Sequence, residues 1–316
     1  MADNPSRQNT TGTRLPDSRA RRARGAHGSA SQIALLLPAL IPVLLLSLIP
    51  LIRGVYLGFT DYRLGDPIRF NGVDNYVRMF HDLFFWNSFQ VGFVWTIIVT
   101  AGQVLLGLGL ALLLKRKVRF TSIYSALMLV PWAMPPIIRG IVWRQVYDPD
   151  TGILNAVLLQ AGLIHTSINW LSSFEFVIPA VIVAGIWGEI PKAAVFLLAG
   201  LQSIPDDLYE AARIDGAGAG ARFRHVTMPM LAPTLVFVTV MTLIGDLQLF
   251  AEPYVMTQGG PVHATLSVVL LMYLEGFRWW NMGYAAAIAF VLFAMMLVLT
   301  FLAIRVRALT AAEETA

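Results

Sequence analysis

The sequence predicts an all-α polytopic membrane protein with six transmembrane helices. Three observations carry that expectation. The 316 residues are 57% hydrophobic and only 13% charged, half the charged share of an ordinary soluble domain. Apolar runs long enough to cross a bilayer recur six times, and each needs about 20 such residues. The basic residues also alternate from one loop to the next as a spanning chain requires.

Residues 1–30 are rich in Arg, Ser, Thr, Gly and Asn and read as a disordered cytoplasmic tail, because few apolar groups offset the entropy of ordering. A six-helix transmembrane domain is expected over 31–308, with a short tail at 309–316. Its first span runs over about 33–59. It is too long for a signal peptide and is loosened by Pro38, Pro42 and Pro50. The other spans are expected at about 88–114, 121–143, 176–200, 230–250 and 283–304. A long polar loop at about 144–175 follows the third. With the N-terminus inside, the inner segments hold fifteen basic residues and the outer ones five, namely Arg63, Arg69, Arg78, Arg144 and Arg278. The Lys115-Arg116-Lys117-Val118-Arg119 run weighs most. This bias predicts both termini on the cytoplasmic side.

The chain offers little covalent chemistry. It has no cysteine, hence no thiolate nucleophile and no thiolate metal site, and its five histidines are scattered. The charge of +4 follows loop sidedness and does not point to nucleic acid. No Gly-x-x-x-x-Gly-Lys-Ser/Thr loop occurs, and the Gly216 to Gly220 run lacks the lysine such a loop needs. No catalytic residues, metal or bound cofactor are expected.

Two polar groupings remain. Within or at the ends of spans lie Arg139, Glu189, Lys192, Asp246, Gln248 and Glu252, with Trp132, Trp143, Trp187 and Phe250 nearby. Ionisable groups at that depth are costly and point to a pathway or to an internal network. Asp246 and Phe250 stand one helical turn apart, so a carboxylate and a ring are expected on one face. Glu189, ahead of Pro191 and Lys192, also reads as a kinked, self-paired turn.

The second grouping is the polar stretch 203–229. Pro205 followed by Asp206 and Asp207 suits a helix start. Leu208, Ala211 and Ala212 share a face, and Gly216 suits a left-handed helix end. About three turns do not hold alone in water, so this helix needs a surface, either a partner protein or the inner face of the membrane. On the outer side, Phe84-Phe85-Trp86, Trp170 and Trp279-Trp280 read as interfacial anchors or as a surface that receives an extracellular partner.

The spacing Glu210-Ala211-Ala212, three residues, Gly216, nine residues, Val226-Thr227-Met228-Pro229 closely resembles the "EAA" motif of binding-protein-dependent ABC importer permeases. Leu201 to Pro205 and Ile214-Asp215-Gly216-Ala217 narrow the resemblance to carbohydrate permeases of the maltose, trehalose and glycerol-phosphate type. Phe70 to Tyr76, Pro131-Trp132 through Trp143, Gly152 to Asn155, and Gly259-Gly260-Pro261 with Thr265 look like further family signposts. Val226, Met228 and the Gly218-Ala219-Gly220 run depart from the usual pattern.

The resemblance implies the six-helix type I importer (MetI-like) fold in a bacterial or archaeal plasma membrane. It implies coupling through Glu210, Ala211, Ala212, Asp215, Gly216 and Pro229 to a dimer of a separate ATPase subunit, which holds the ATP and Mg. A second permease chain in a heterodimer, an extracytoplasmic solute-binding protein and a sugar complete the expected partners. Arg139, Trp143, Trp187, Glu189, Asp246, Gln248, Phe250 and Glu252 are the candidates for the substrate pathway. Few basic residues beyond Arg53, Arg139 and Lys192 lie in the spans, which favours a neutral di- or oligosaccharide over a glycerol phosphate. A proton-coupled secondary transporter using Asp246, Glu252 or Glu189 is the alternative, and it leaves the Glu210 helix without a purpose.

Overall fold

The computed structural model describes residues 38, 40–115 and 121–313. The tail expected over 1–30, most of the basic run after Lys115, and residues 314–316 lie outside them. The chain divides into two units at Arg53 and Gly54. Helix α1 (Leu40–Leu57) is apolar and long enough to cross a membrane, and its residues up to Arg53 form most of the described part of the first unit.

The second unit is helical. An isolated antiparallel bridge between Thr60 and Phe70 is its only β pairing among the described residues. A short helix α2 (Asp74–His81) leads into the 33-residue α3 (Leu83–Lys115). Then come α4 (Thr121–Ala133), α5 (Pro136–Val146), α6 (Ile153–Gln160) and α7 (Val177–Gln202). The polar stretch forms α8 (Asp206–Ile214), followed by α9 (Ala219–Arg222), a π turn at Phe223–Thr227, and α10 (Met228–Asp246). A π turn at Pro253–Thr257, α11 (Val268–Tyr273), a π turn at Leu274–Arg278 and α12 (Met282–Glu313) complete it.

Helices α3 and α7 form the spine, side by side and parallel. Glycines let them approach: a Cβ at Gly107 would lie 2.9 Å from Ala193 Cβ, and Gly185 lies against the six-membered ring of Trp95. Small residues serve this way in lipid, where no hydrophobic force separates helix from solvent. One buried cluster gathers Ala111, Leu197, Leu201, Ile204, Leu231 and Val238 at the C-terminal ends of the pair. Another, around Trp95, Val99, Val177 and Leu249, fills the middle. A third ties Met79, Phe85, Leu271, Tyr284 and Ile288 at the other end.

Several expectations need correction. The third span is not one straight helix over 121–143: α4 and α5 meet at a 101° bend. Pro135 and Pro136 lack the N–H groups that would continue the ladder, and the second proline keeps the first extended (φ −53°, ψ 137°). The polar loop at 144–175 contains α6. The fifth apolar helical run begins at Ala219, not near 230, so the Gly218 to Gly220 segment enters a helix. Its π turn sits just before Pro229, where a regular turn would press the proline ring on the carbonyl four residues back.

Asp246 and Phe250 do not share a helical face, because α10 stops at Asp246. Pro253 has no N–H for the Leu249 carbonyl, which instead accepts the Ser267 hydroxyl (2.5 Å). Phe250 then turns to stack on Tyr254, with ring centroids 5.0 Å apart.

Candidate functional site: an intramembrane ion network and an exposed helix

The bend between α4 and α5 brings Arg139 against α7. Gly188 leaves room for it, since a Cβ there would stand 2.5 Å from Arg139 Cδ. The guanidinium donates from Nη1 to Glu189 Oε1 (3.0 Å) and from Nη2 to Glu252 Oε1 (3.2 Å). Lys192 Nζ holds the other Glu189 oxygen at 2.7 Å, one turn along α7. Glu189 is therefore paired within its helix and also bridged to Arg139. Arg139 is 3% exposed and Glu252 7%, which makes this an interior network rather than a surface pair. Two carboxylates on one guanidinium and a second cation on the first of them satisfy the buried charges, the condition for keeping them in a low-dielectric interior. Among the described residues, the Arg139 Nε has no hydrogen-bond partner.

Asp246 belongs to the same region through other partners. Thr100 donates its hydroxyl to Asp246 Oδ2 (2.6 Å), and Gln103 donates its amide to both carboxylate oxygens (2.8 and 2.7 Å). Thr100 and Gln103 were not among the residues singled out in the sequence. Thr96, Thr100 and Gln103 recur at helical spacing in an otherwise apolar span, and that polar stripe was the available signal.

A cavity of about 250 Å³ opens between these groups. Arg139, Glu189, Asp246, Gln248, Phe250 and Glu252 line it, joined by Lys192 and by the edge of Trp95. Six of the eight pathway candidates thus come together. Trp143 and Trp187 do not line it: they pack on each other edge to face at 5.6 Å, beside Tyr147. A second cavity of about 250 Å³ shares Trp95 and Leu249 with the first but is largely apolar, lined by Val91, Val94, Ile178 and Val181. The polar cavity offers hydroxyl-matching donors and acceptors next to aromatic surface. Among the described residues, no group of three or more His, Asp or Glu could hold a metal ion.

The second candidate, α8, buries none of its residues. Glu210 and Arg213 pair along its outside at 3.4 Å and both stay exposed. Ala211 and Asp215 are exposed, Ala212 is half-buried, and Pro229 is exposed at the start of α10. Leu208 and Ile214 are 40% and 87% exposed, unusual for apolar residues on so short a helix. Gly216, at φ +79°, ends it in the left-handed region where only glycine sits without strain. Ser203 does not cap the helix: its hydroxyl donates back to the Gly200 carbonyl at 2.9 Å.

Comparison with known proteins places this arrangement. Residues 103–310 match the family described as binding-protein-dependent transport system inner membrane component. The sulfoquinovosyl glycerol transport system permease protein of Agrobacterium fabrum is 34% identical over 276 residues, covering 87% of this chain and 89% of its own. The trehalose/maltose transport system permease protein of Thermococcus litoralis is 34% identical over 269 residues, covering 84% and 89%. Among solved structures, a chain of a bacterial ABC transporter involved in the import of the acidic polysaccharide alginate superposes with a TM-score of 0.74 at 23% identity. That match covers 90% of this chain and 99% of the other, and it shows the shared fold.

Proposed function

The chain belongs to the family of inner-membrane components of binding-protein-dependent transport systems, and on that premise we propose that it is the permease subunit of an ATP-driven sugar importer. The observation that carries the reading is α8: a short helix with exposed Leu208 and Ile214, bearing Glu210-Ala211-Ala212 and ended by Gly216. Such a helix is too short to be stable by itself and exposes apolar surface that a partner would cover.

In this reading α8 docks on a separate ATPase subunit, one of a dimer that holds ATP and Mg. A second permease chain completes the pathway, and an extracytoplasmic solute-binding protein delivers substrate to the outer face. The inner-side charge bias supports placing α8 and both termini in the cytoplasm. ATP binding closes the ATPase dimer and moves the docked helices, which opens the cavity to alternate sides. That motion is driven only if the motor stabilises one packing of the permease over the other.

Arg139, Glu189, Asp246, Gln248, Phe250 and Glu252 line this chain's part of the pathway. Their paired charges suit the hydroxyls of a neutral di- or oligosaccharide, with trehalose or maltose first and glycerol phosphate a less suitable cargo. Family membership does not favour the proton-coupled alternative. Co-purification tests the docking: Glu210→Lys is expected to lose the ATPase subunit from the detergent-solubilised complex while the permease itself folds. An ATPase retained at full occupancy counts against the reading.

A further inference from the structure

The family motif identifies the helix that a motor would grip, but a grip transmits motion only if the helix is held to the membrane domain. In α8 that hold converges on one side chain. Tyr209 is the α8 residue, among the described residues, whose side chain hydrogen-bonds outside its own helix. Its ring packs on the cluster of Ala111, Leu197, Leu201 and Leu231. Apolar contact of this kind is non-directional, so by itself it would let a nine-residue helix slide or roll.

Lys115, the last residue of α3, supplies the direction. Its Nζ donates to the Leu201 carbonyl at 2.9 Å and to the Tyr209 hydroxyl at 3.2 Å, and it lies 4.3 Å from the Tyr209 ring centroid. The Tyr209 hydroxyl in turn meets Thr227 Oγ1 at 3.2 Å, in the π turn that opens α10. One ammonium therefore ties together the C-terminal ends of α3 and α7, the ring of α8 and, through it, the start of α10. Each contact is favourable on independent grounds. The Leu201 carbonyl lies in the last turn of α7, where the helix dipole attracts a cation. The bond is charge-assisted, and the ring face attracts the ammonium.

We propose that Lys115 is a positioning residue for coupling: it locks α8 to α3, α7 and α10 so that the docked helix and the membrane helices move as one lever. The inference rests on α8 being the docking helix, and its test is arranged to fail separately from that reading.

The chain contains no cysteine, so two introduced thiols label it without background from this subunit. Spin labels at Leu113→Cys on α3 and Asp206→Cys on α8 report the separation of the two helices. Both sites are exposed, and Asp206 lies on the Tyr209 side of its helix. In the full importer complex the wild type is expected to give a narrow distance distribution that is the same without nucleotide and with Mg-ATP and vanadate. Lys115→Met is expected to lose the narrow peak and to shift between the two nucleotide states, while Lys115→Arg, which keeps the cation, restores it. If Lys115→Met does not fold, Tyr209→Phe keeps the ring, loses both hydroxyl contacts, and is expected to broaden in the same way. A narrow, nucleotide-invariant distribution in a folded Lys115→Met or Tyr209→Phe variant overturns the proposal. Retention of the ATPase by Glu210→Lys overturns the docking reading instead, and the nucleotide-free distributions still decide whether Lys115 holds α8 in place.

Discussion

At Arg139, a guanidinium from α5 receives one carboxylate from α7 and another from the turn beyond α10. Removing the cation leaves Glu189 with Lys192 alone and Glu252 buried with no counter-charge. Stranding a buried charge in this way costs about 3–5 kcal/mol, so Arg139→Met is expected to lower the unfolding temperature of the solubilised permease sharply. Adding Glu189→Gln and Glu252→Gln to that variant is expected to recover much of the loss, as thermal unfolding of the single and triple variants will show. A different residue answers to pH. Asp148 lies in the loop after α5, where it accepts hydrogen bonds from the Thr151 amide, the Thr151 hydroxyl and the Asp150 amide. These bonds favour its ionised form and hold its carboxyl below the usual range. Its contribution to loop order is therefore complete above the ordinary carboxylate range and is lost as pH falls through the depressed value. The protection of the Thr151 amide, taken relative to its intrinsic exchange rate at each pH, is expected to fall under acid in the wild type and to lose that acid dependence in Asp148→Asn.

At the scale of elements, small residues and prolines set the architecture. Gly107 faces Ala193 closely enough that a Cβ would sit 3.1 Å from the Ala194 nitrogen. Gly107→Leu must push α3 off α7, at a cost of about 1–3 kcal/mol for overpacking, and is expected to destabilise the purified protein without changing its helical content by circular dichroism. Most elements were legible in the sequence because hydropathy and caps are local signals. Asp206 and Gly216 bracket α8 nearly where their chemistry suggests, and α7 spans 177–202 against an expected 176–200. Apart from α6, found within the expected polar loop, the misjudged elements involve proline. Pro135 and Pro136 break the third span, Pro229 is accommodated by a π turn, and Pro253 leaves the Leu249 carbonyl to the Ser267 hydroxyl. In each case the sequence shows that a donor is missing, while its neighbours in space decide whether the helix breaks, widens or finds another donor.

At the scale of the whole chain, the absence of a phosphate loop and the family match together predict a transporter powered from outside its own sequence. In proteoliposomes holding the complete importer, sugar uptake is expected to stop when the ATPase partner is inactivated and to continue when an ionophore collapses the proton gradient. The opposite pattern would return Asp246, Glu252 or Glu189 to the role of a proton relay. The sequence by itself determined the class of the molecule, its apolar helices, the Glu210 to Gly216 spacing that resembles a family motif, and the polar residues worth watching. Those follow from composition, periodicity and spacing along the chain. Only the tertiary structure decided which polar groups meet. Arg139 and Glu252 are 113 positions apart, and Thr100 and Asp246 are separated by 146. Their pairing depends on a bend at two prolines and on glycines that let helices close, so no local pattern specifies it. The same holds for Lys115 and Tyr209, where a basic residue that reads as a sidedness signal meets the hydroxyl and ring of α8.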